Sequence, residues 1–365
     1  MAADFRALRA KSSTCRLAGR CYPGVVRTLY VTPLVIVLAL SWAKPTSAED
    51  SAAKRFASSS VLIEHAFSVG HVQDLSPLHT RSFTRSLRLW PSYAINGQLN
   101  LSAQLGLFQE LTVTDTTYAF EPMLDDLMVS ISQQLPRPKA APKVLNAAIG
   151  LDLFLPTSKA SQAASLITAI EPWFQLSATA PVLDGLEFSY RVTPGPRLHR
   201  YTTASFLVER PCSPATGCSL GATVETGERN PALQLHNDFS LTISALNSKL
   251  SLSAQLRMSY GFLYPKSPSG RYDEVIISNP GNNGGNPVRA NSTFIFDLNY
   301  QVHPGLGLSM GLWTPGGMRP DGDWYNPLGN RFSQVYIDLI LYPVALVRAE
   351  MNKKRSAETA RPGRH

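Results

Sequence analysis

Residues 249–263 read KLSLSAQLRMSYGFL, and their alternation decides the fold. Leu250, Leu252, Ala254, Leu256, Met258, Tyr260 and Phe262 are apolar, while Lys249, Ser251, Ser253, Gln255, Arg257, Ser259 and Gly261 fall between them. A period of two marks a β-strand with one apolar and one wet face. Ordinary strands run to about 5–6 residues, and this pattern holds for roughly twice that. A tilted strand crossing a bilayer needs about 9–11 residues. In a membrane barrel the apolar face meets lipid and the wet face meets the lumen; in a β-sandwich the same apolar face turns inward. The number of such strands and the lengths of their connections separate the two.

The same rule recurs along the chain. Residues 98–111 place Leu99, Leu101, Ala103, Leu105 and Leu107 against Gln98, Asn100, Ser102, Gln104 and Gly106, and LSAQL occurs at both 101–105 and 252–256. Residues 144–155 alternate Leu145, Ala147, Ile149, Leu151, Leu153 and Leu155 with Asn146, Gly150 and Asp152. The remaining candidates are 61–69, 86–95 (interrupted by Pro91), 127–135, 166–180, 186–192, 232–245, 293–302, 305–313 and 333–345, making 12 strands. Short turns fall around Asn96, Arg137, Asp184, Asn247 and His303, and long connections around Thr117, Lys159, Cys212, Asn283 and Pro320. The two kinds alternate, as do the short turns and long loops at opposite ends of outer-membrane barrels. We therefore expect an all-β fold: an antiparallel up-and-down transmembrane β-barrel of about 12 strands, spanning 61–346. A closed barrel also satisfies every backbone hydrogen bond in lipid. The competing architecture is a periplasmic β-sandwich.

The pI near 9.3 invites a nucleic-acid reading. The charge distribution removes it. Seven basic residues and one acid precede Glu49, six basic residues and two acids follow from Leu346, and the body between carries 21 basic against 23 acidic residues. Basicity belongs to the ends, so nucleic acid is not an expected partner. Arg6, Arg9, Lys11, Arg16, Arg20 and Arg27 precede an apolar run (LYVTPLVIVLALSW, 29–42) and the small residues Thr46, Ser47 and Ala48. That order predicts a signal peptide over 1–48 cleaved near Ala48, with a single-helix anchor as the alternative. A polar lead-in over 49–60 and a basic periplasmic tail over 347–365 complete the expected organisation. Cys212 and Cys218 remain in the mature chain, close together in a polar loop of an exported protein, which predicts a local disulfide.

Two segments carry a family likeness. IGLDLFLPTSKAS (149–161) resembles the strand-and-loop segment of outer-membrane barrels grouped as transporters of the phenol-degradation MetA-pathway type, with Ser158 standing where the family has glycine. The hairpin over 294–312 and YIDLILY (336–342) are similar to the end of such barrels. The resemblance implies an outer-membrane location and passive transport, and brings no residue-level mechanism. Partners expected of such a chain are outer-membrane lipid, a small-molecule solute and the barrel-assembly machinery acting through the last strand.

By parity the wet faces carry Glu110, Asp152, Glu171, Glu187, Asp238, Asp297 and Asp338, with the basic residues Arg88, Arg191, Lys249 and Arg257, and His236. Acids outnumber bases, so an open pore would mildly prefer cations; the alternative is that the charges pair across a narrow lumen and fill it. His236 and Asp238, with Ser240 or Ser253, are the candidates for a lipid-hydrolysing site, the weaker alternative. GxSxG, HExxH and phosphate-loop motifs are absent from the sequence, so no catalytic residues, metal ligands or cofactors are expected. Asp321 and Asp323 form only an isolated acidic pair. Trp90, Trp173, Trp313, Tyr300 and Tyr342 fall near expected strand ends, where aromatic girdles or ordinary packing would place them.

Overall fold

The computed structural model describes residues 55–69, 82–112, 120, 122–137, 144–208, 222–265, 287–317, 325–330 and 332–359. The expected signal peptide, most of the lead-in, Cys212 and Cys218, Asn283, and Asp321 with Asp323 lie outside the described residues.

Among the described residues sixteen strands run in order: β1 (Ser60–Ser68), β2 (Phe83–Trp90), β3 (Ser92–Ala94), β4 (Leu99–Glu110), β5 (Pro122–Leu124), β6 (Leu127–Gln134), β7 (Leu145–Leu155), β8 (Leu166–Ala180), β9 (Gly185–His199), β10 (Thr203–Val208), β11 (Ala222–Arg229), β12 (Pro231–Ala245), β13 (Leu250–Leu263), β14 (Val288–His303), β15 (Leu306–Gly317) and β16 (Gln334–Leu341). Among the described residues there are also two helices, α1 (Lys159–Ala163) between β7 and β8 and α2 (Pro343–Thr359) after β16. Each main strand pairs antiparallel with its neighbours, and β1 pairs with β16 from Val61↔Leu341 to Ser68↔Gln334, which closes the sheet. The result is a closed 12-strand antiparallel barrel.

Strands β2 and β3 form one stave, both lying against β4. Pro91 divides them because it has no N–H to donate. Its carbonyl still accepts from Ala103 N at 3.0 Å, so the stave bends without leaving the ladder. The β12–β13 turn places Leu246, Asn247 and Ser248 in left-handed conformations, with φ of 57°, 56° and 59°. The Asp184 carboxylate accepts from Ser248 N at 3.0 Å, tying this turn to the next hairpin.

Burial is inverted relative to a water-soluble domain. Leu151 is 40% exposed and Asp152 6%; Met310 is 53% exposed and Ser309 4%; Ile337 is 53% exposed and Asp338 7%. Adjacent residues of one strand point to opposite faces, so the enclosed face is polar and the outer face apolar. A sandwich would bury its leucines between sheets, and the sandwich alternative is thereby overturned. Aliphatic side chains on the outside suit hydrocarbon, not water. Among the described residues no helix is long and apolar enough to cross a membrane.

Several boundaries differ from expectation. Strand β9 continues through Pro194 and Pro196 to His199, beyond the expected end at 192. Strands β14 and β15 are also longer than expected. The long connection beyond β9 contains the β10–β11 hairpin, its base held by buried Asn230, which donates to Ala164 O at 2.8 Å and Tyr201 O at 2.9 Å. Strand β16 stops at Leu341, and α2 begins at Pro343 where a strand end and plain tail were expected. Proline at a first helical position has its φ already set and loses no bond. Tyr342 N donates to Gly305 O at 2.9 Å, and a Cβ on Gly305 would stand 2.3 Å from Leu346 Cγ, so the first turn of α2 rests on the β14–β15 turn.

Candidate functional site: a polar belt on the enclosed face

Register brings charged residues of neighbouring staves together. Asp152 stands opposite Ser130 and Glu171, Asp238 opposite Arg191 and Arg257, and Asp338 opposite Glu64 and Ser309. Directly opposed residues share a face, so the belt follows from pairing rather than from any single strand.

Asp152 is the most heavily engaged. It accepts from Ser130 Oγ, from Trp173 Nε1 at 3.1 Å and from Arg191 Nη2 at 2.6 Å. The Arg191 guanidinium also lies 4.2 Å from the Trp173 ring centroid. A cation held between a ring face and a carboxylate combines cation–π and charge-assisted bonding. Gly150 makes this possible: a Cβ there would stand 2.3 Å from Trp173 Cζ2. The indole needs that empty space.

Glu171 accepts from Arg197 Nη2 at 3.1 Å and lies against Gly195, whose absent Cβ would approach Glu171 Cγ to 2.7 Å. His236 Nε2 stands 4.0 Å from Glu171 Oε1, and its Nδ1 is 2.7 Å from Ser259 Oγ. Asp238 receives a two-pronged contact from Arg257, through Nε at 2.5 Å and Nη2 at 3.3 Å. Across the barrel seam, Glu64 takes Arg88 Nη2 at 3.3 Å and Ser86 Oγ at 3.0 Å, while Arg88 Nε reaches Asp125 at 3.9 Å. Asp297 accepts from Ser309 Oγ and from Tyr336 Oη, the latter at 3.3 Å, with the Tyr336 ring seated over Gly311. Asp338 Oδ1 is buried and has no hydrogen-bond partner among the described residues.

Of the expected wet-face residues, Arg88, Asp152, Glu171, Arg191, His236, Asp238, Arg257, Asp297 and Asp338 fall within this belt. Glu110 is buried at the end of β4, accepting from Thr112 Oγ1 at 3.0 Å. Glu187 and Lys249 sit exposed at the short-turn end, away from it. Sequence reasoning missed Glu64, Asp125, Arg197 and Tyr336, and placed Ser259 on the wet face without singling it out. Arg197 lies beyond the expected strand end at 192, although Thr193, Gly195 and Arg197 continue the wet-side parity of Arg191.

The hydrolase candidates separate. Ser240 is hydrogen-bonded to Ser189 at 2.6 Å, and Ser253 lies opposite Thr242 and Asp297; neither partners His236. The partner of His236 is Ser259. Glu171, the carboxylate nearest the far ring nitrogen, is occupied by Arg197. Among the described residues, no group of three or more His, Cys, Asp or Glu could hold a metal ion.

The girdle expectation is corrected at Trp173, which lies inside and within the belt. Trp90 shares the parity of Arg88 on an unshifted register, and Trp313 that of Ser309, so both occupy the enclosed side too. Tyr300 is 43% exposed near the end of β14.

An apolar exterior around an ion-paired interior defines a transmembrane β-barrel. No family model and no curated protein matches the chain. The chain is similar to several solved structures at low identity. The COG4313 outer membrane channel from Pseudomonas putida F1 is 11% identical over 78% of this chain and 94% of that one, with a TM-score of 0.46. A KdgM porin is 10% identical over 77% of this chain and 98% of that one, with a TM-score of 0.39. A NanC porin is 12% identical over 77% of this chain and 97% of that one, with a TM-score of 0.39.

Proposed function

We propose that the chain is an outer-membrane β-barrel that passes small solutes passively along its enclosed polar face. One observation carries the reading: charged side chains ring the inside while large aliphatic side chains cover the outside. In lipid, such a barrel offers charged and hydrogen-bonding groups only along its axis, where they can replace part of a solute's hydration. The expected wet-face residues that meet in the belt, from Arg88 to Asp338, line that path. The short-turn end faces the periplasm, and the long connections face outward. Export by a signal cleaved near Ala48, a Cys212–Cys218 disulfide, and insertion by the barrel-assembly machinery through β16 belong to the same reading. So does the finer family likeness carried by 149–161 and 336–342.

A second reading has its own observation. Trp173 and Tyr336 are bulky, point inward and are seated over glycines, and Arg191 reaches past β8 to Asp152 on β7. Such packing narrows a lumen, and a filled barrel would be a non-conducting scaffold. Current across planar lipid bilayers separates the two: stepwise conductance is expected of the folded protein, and a folded, inserted barrel that stays electrically silent would overturn the transport reading.

A further inference from the structure

Charge around the belt is not evenly matched. On the wall from β7 to β13, three carboxylates each have an arginine: Asp152 with Arg191 at 2.6 Å, Glu171 with Arg197 at 3.1 Å and Asp238 with Arg257 at 2.5 Å. That wall is zipped and close to neutral. On the wall formed by β14, β15, β16 and β1 the balance fails. Among the described residues, Glu64 alone of Glu64, Asp297 and Asp338 has an arginine in ion-pair range, Arg88 on β2, which divides itself between Glu64 at 3.3 Å and Asp125 at 3.9 Å. The donors to Asp297, Ser309 and Tyr336, carry no charge.

Asp338 sharpens the case. It is 7% exposed, its Oδ1 is buried without a partner among the described residues, and Glu64 is its direct cross-strand neighbour on β1. Directly opposed residues of an antiparallel pair stand with Cβ atoms about 4.5–5.5 Å apart, and like charges there repel. A buried carboxylate oxygen without a donor, facing a second carboxylate, attracts positive charge.

We infer that the β14–β16–β1 wall is a cation-binding wall, and that the Glu64–Asp338 pair with Asp297 makes the channel select small monovalent cations, inorganic or alkylammonium. The inference rests on the channel reading for its selectivity arm. Oxygen-only donors of this kind suit hard cations. Conduction requires a weak, exchangeable site, from which an ion can leave again. The neutral β7–β13 wall supplies shape without competing charge.

The test uses the full chain, folded in detergent and reconstituted in planar bilayers under a KCl gradient. The reversal potential should show K⁺ preferred over Cl⁻ by about tenfold, the lower end of the enrichment a one-signed cleft produces. Asp338→Asn and Glu64→Gln should each lower that ratio, and together bring it close to one. Glu187→Gln, away from the belt, should leave it unchanged. Heat-modifiable gel mobility confirms that each variant is folded, and Glu64→Gln stands in if Asp338→Asn does not fold. Replacing K⁺ by methylammonium tells the inorganic from the organic source; selectivity for either supports the wall. A ratio near or below one in the unmodified chain, or one indifferent to both substitutions, overturns it. Sodium-nucleus NMR line broadening on the detergent-folded protein reads binding without conduction. Broadening that Asp338→Asn abolishes, in a silent barrel, would sink transport and uphold the wall. Conduction with neither broadening nor selectivity would do the reverse, and the absence of all three would reject both.

Discussion

At the scale of single residues, the interior depends on what glycines leave out. Gly150 and Gly311 are not turn residues; they sit in mid-strand, where glycine ordinarily weakens a sheet. Their role is to admit the Trp173 and Tyr336 rings. Gly150→Ala should therefore destabilise the barrel by about 1–3 kcal/mol, as other over-packing substitutions do. Urea-induced unfolding in lipid vesicles, followed by tryptophan fluorescence, would measure it, and an unchanged midpoint would contradict the packing described. Asp152→Ala removes the acceptor shared by Trp173, Ser130 and Arg191, and should cost about 1–3 kcal/mol by leaving those donors unpaired. Pairing this change with Arg191→Ala in a double-mutant cycle should show the two effects to be strongly non-additive. In the β12–β13 turn, Leu246 is 62% exposed with φ of 57°. Leu246→Gly should stabilise by about 1 kcal/mol, since glycine adopts that conformation without strain.

The strands themselves were largely legible, because the period of two is written locally. Strands β4, β7 and β13 could be read within two residues of their ends from alternation alone. What failed was reading through proline: Pro194 and Pro196 look like strand breakers, yet their missing N–H groups are accommodated and β9 runs on. The belt was only partly legible for a different reason. Parity tells which face a residue takes, but not which distant residue meets it; that Glu171 finds Arg197, or Glu64 finds Asp338, depends on register between separately encoded elements. Glu64 could have been found by extending the parity of β1, where Leu62, Glu64 and Ala66 share the enclosed side. The other surprise, α2, lies after the ladder is complete at Leu341. Truncation after Tyr342 should accordingly leave the barrel folded and heat-modifiable on gels, with loss limited to the contact between Leu346 and the β14–β15 turn. A truncated chain that no longer shifts in mobility would show that α2 helps to hold the sheet.

For the molecule as a whole, the decisive property is the sign of burial on each face. Neighbouring residues of one strand should respond oppositely to charge. Leu151→Arg places a cation in hydrocarbon and should destabilise by about 2–4 kcal/mol if it lies near mid-membrane, less towards the interfaces. Ser130→Arg, on the enclosed side, should instead alter conductance and ion preference through its proximity to Asp152. Unfolding midpoints in vesicles and single-channel records would read the two outcomes, and a reversal of the pattern would mean that inside and outside had been exchanged.

The pairing of Val61 with Leu341 carries a consequence for timing. Some 280 residues separate these partners, so the ring can be joined only once its first stave has waited for its last to emerge. Until that moment β1 and β16 are bare edges, open to mispairing with any other strand. Local hairpins can form early, but the final stitch is the most non-local contact in the fold and belongs to its slow phase. A chain built this way has two exposed edges for as long as all the intervening staves and connections take to arrive.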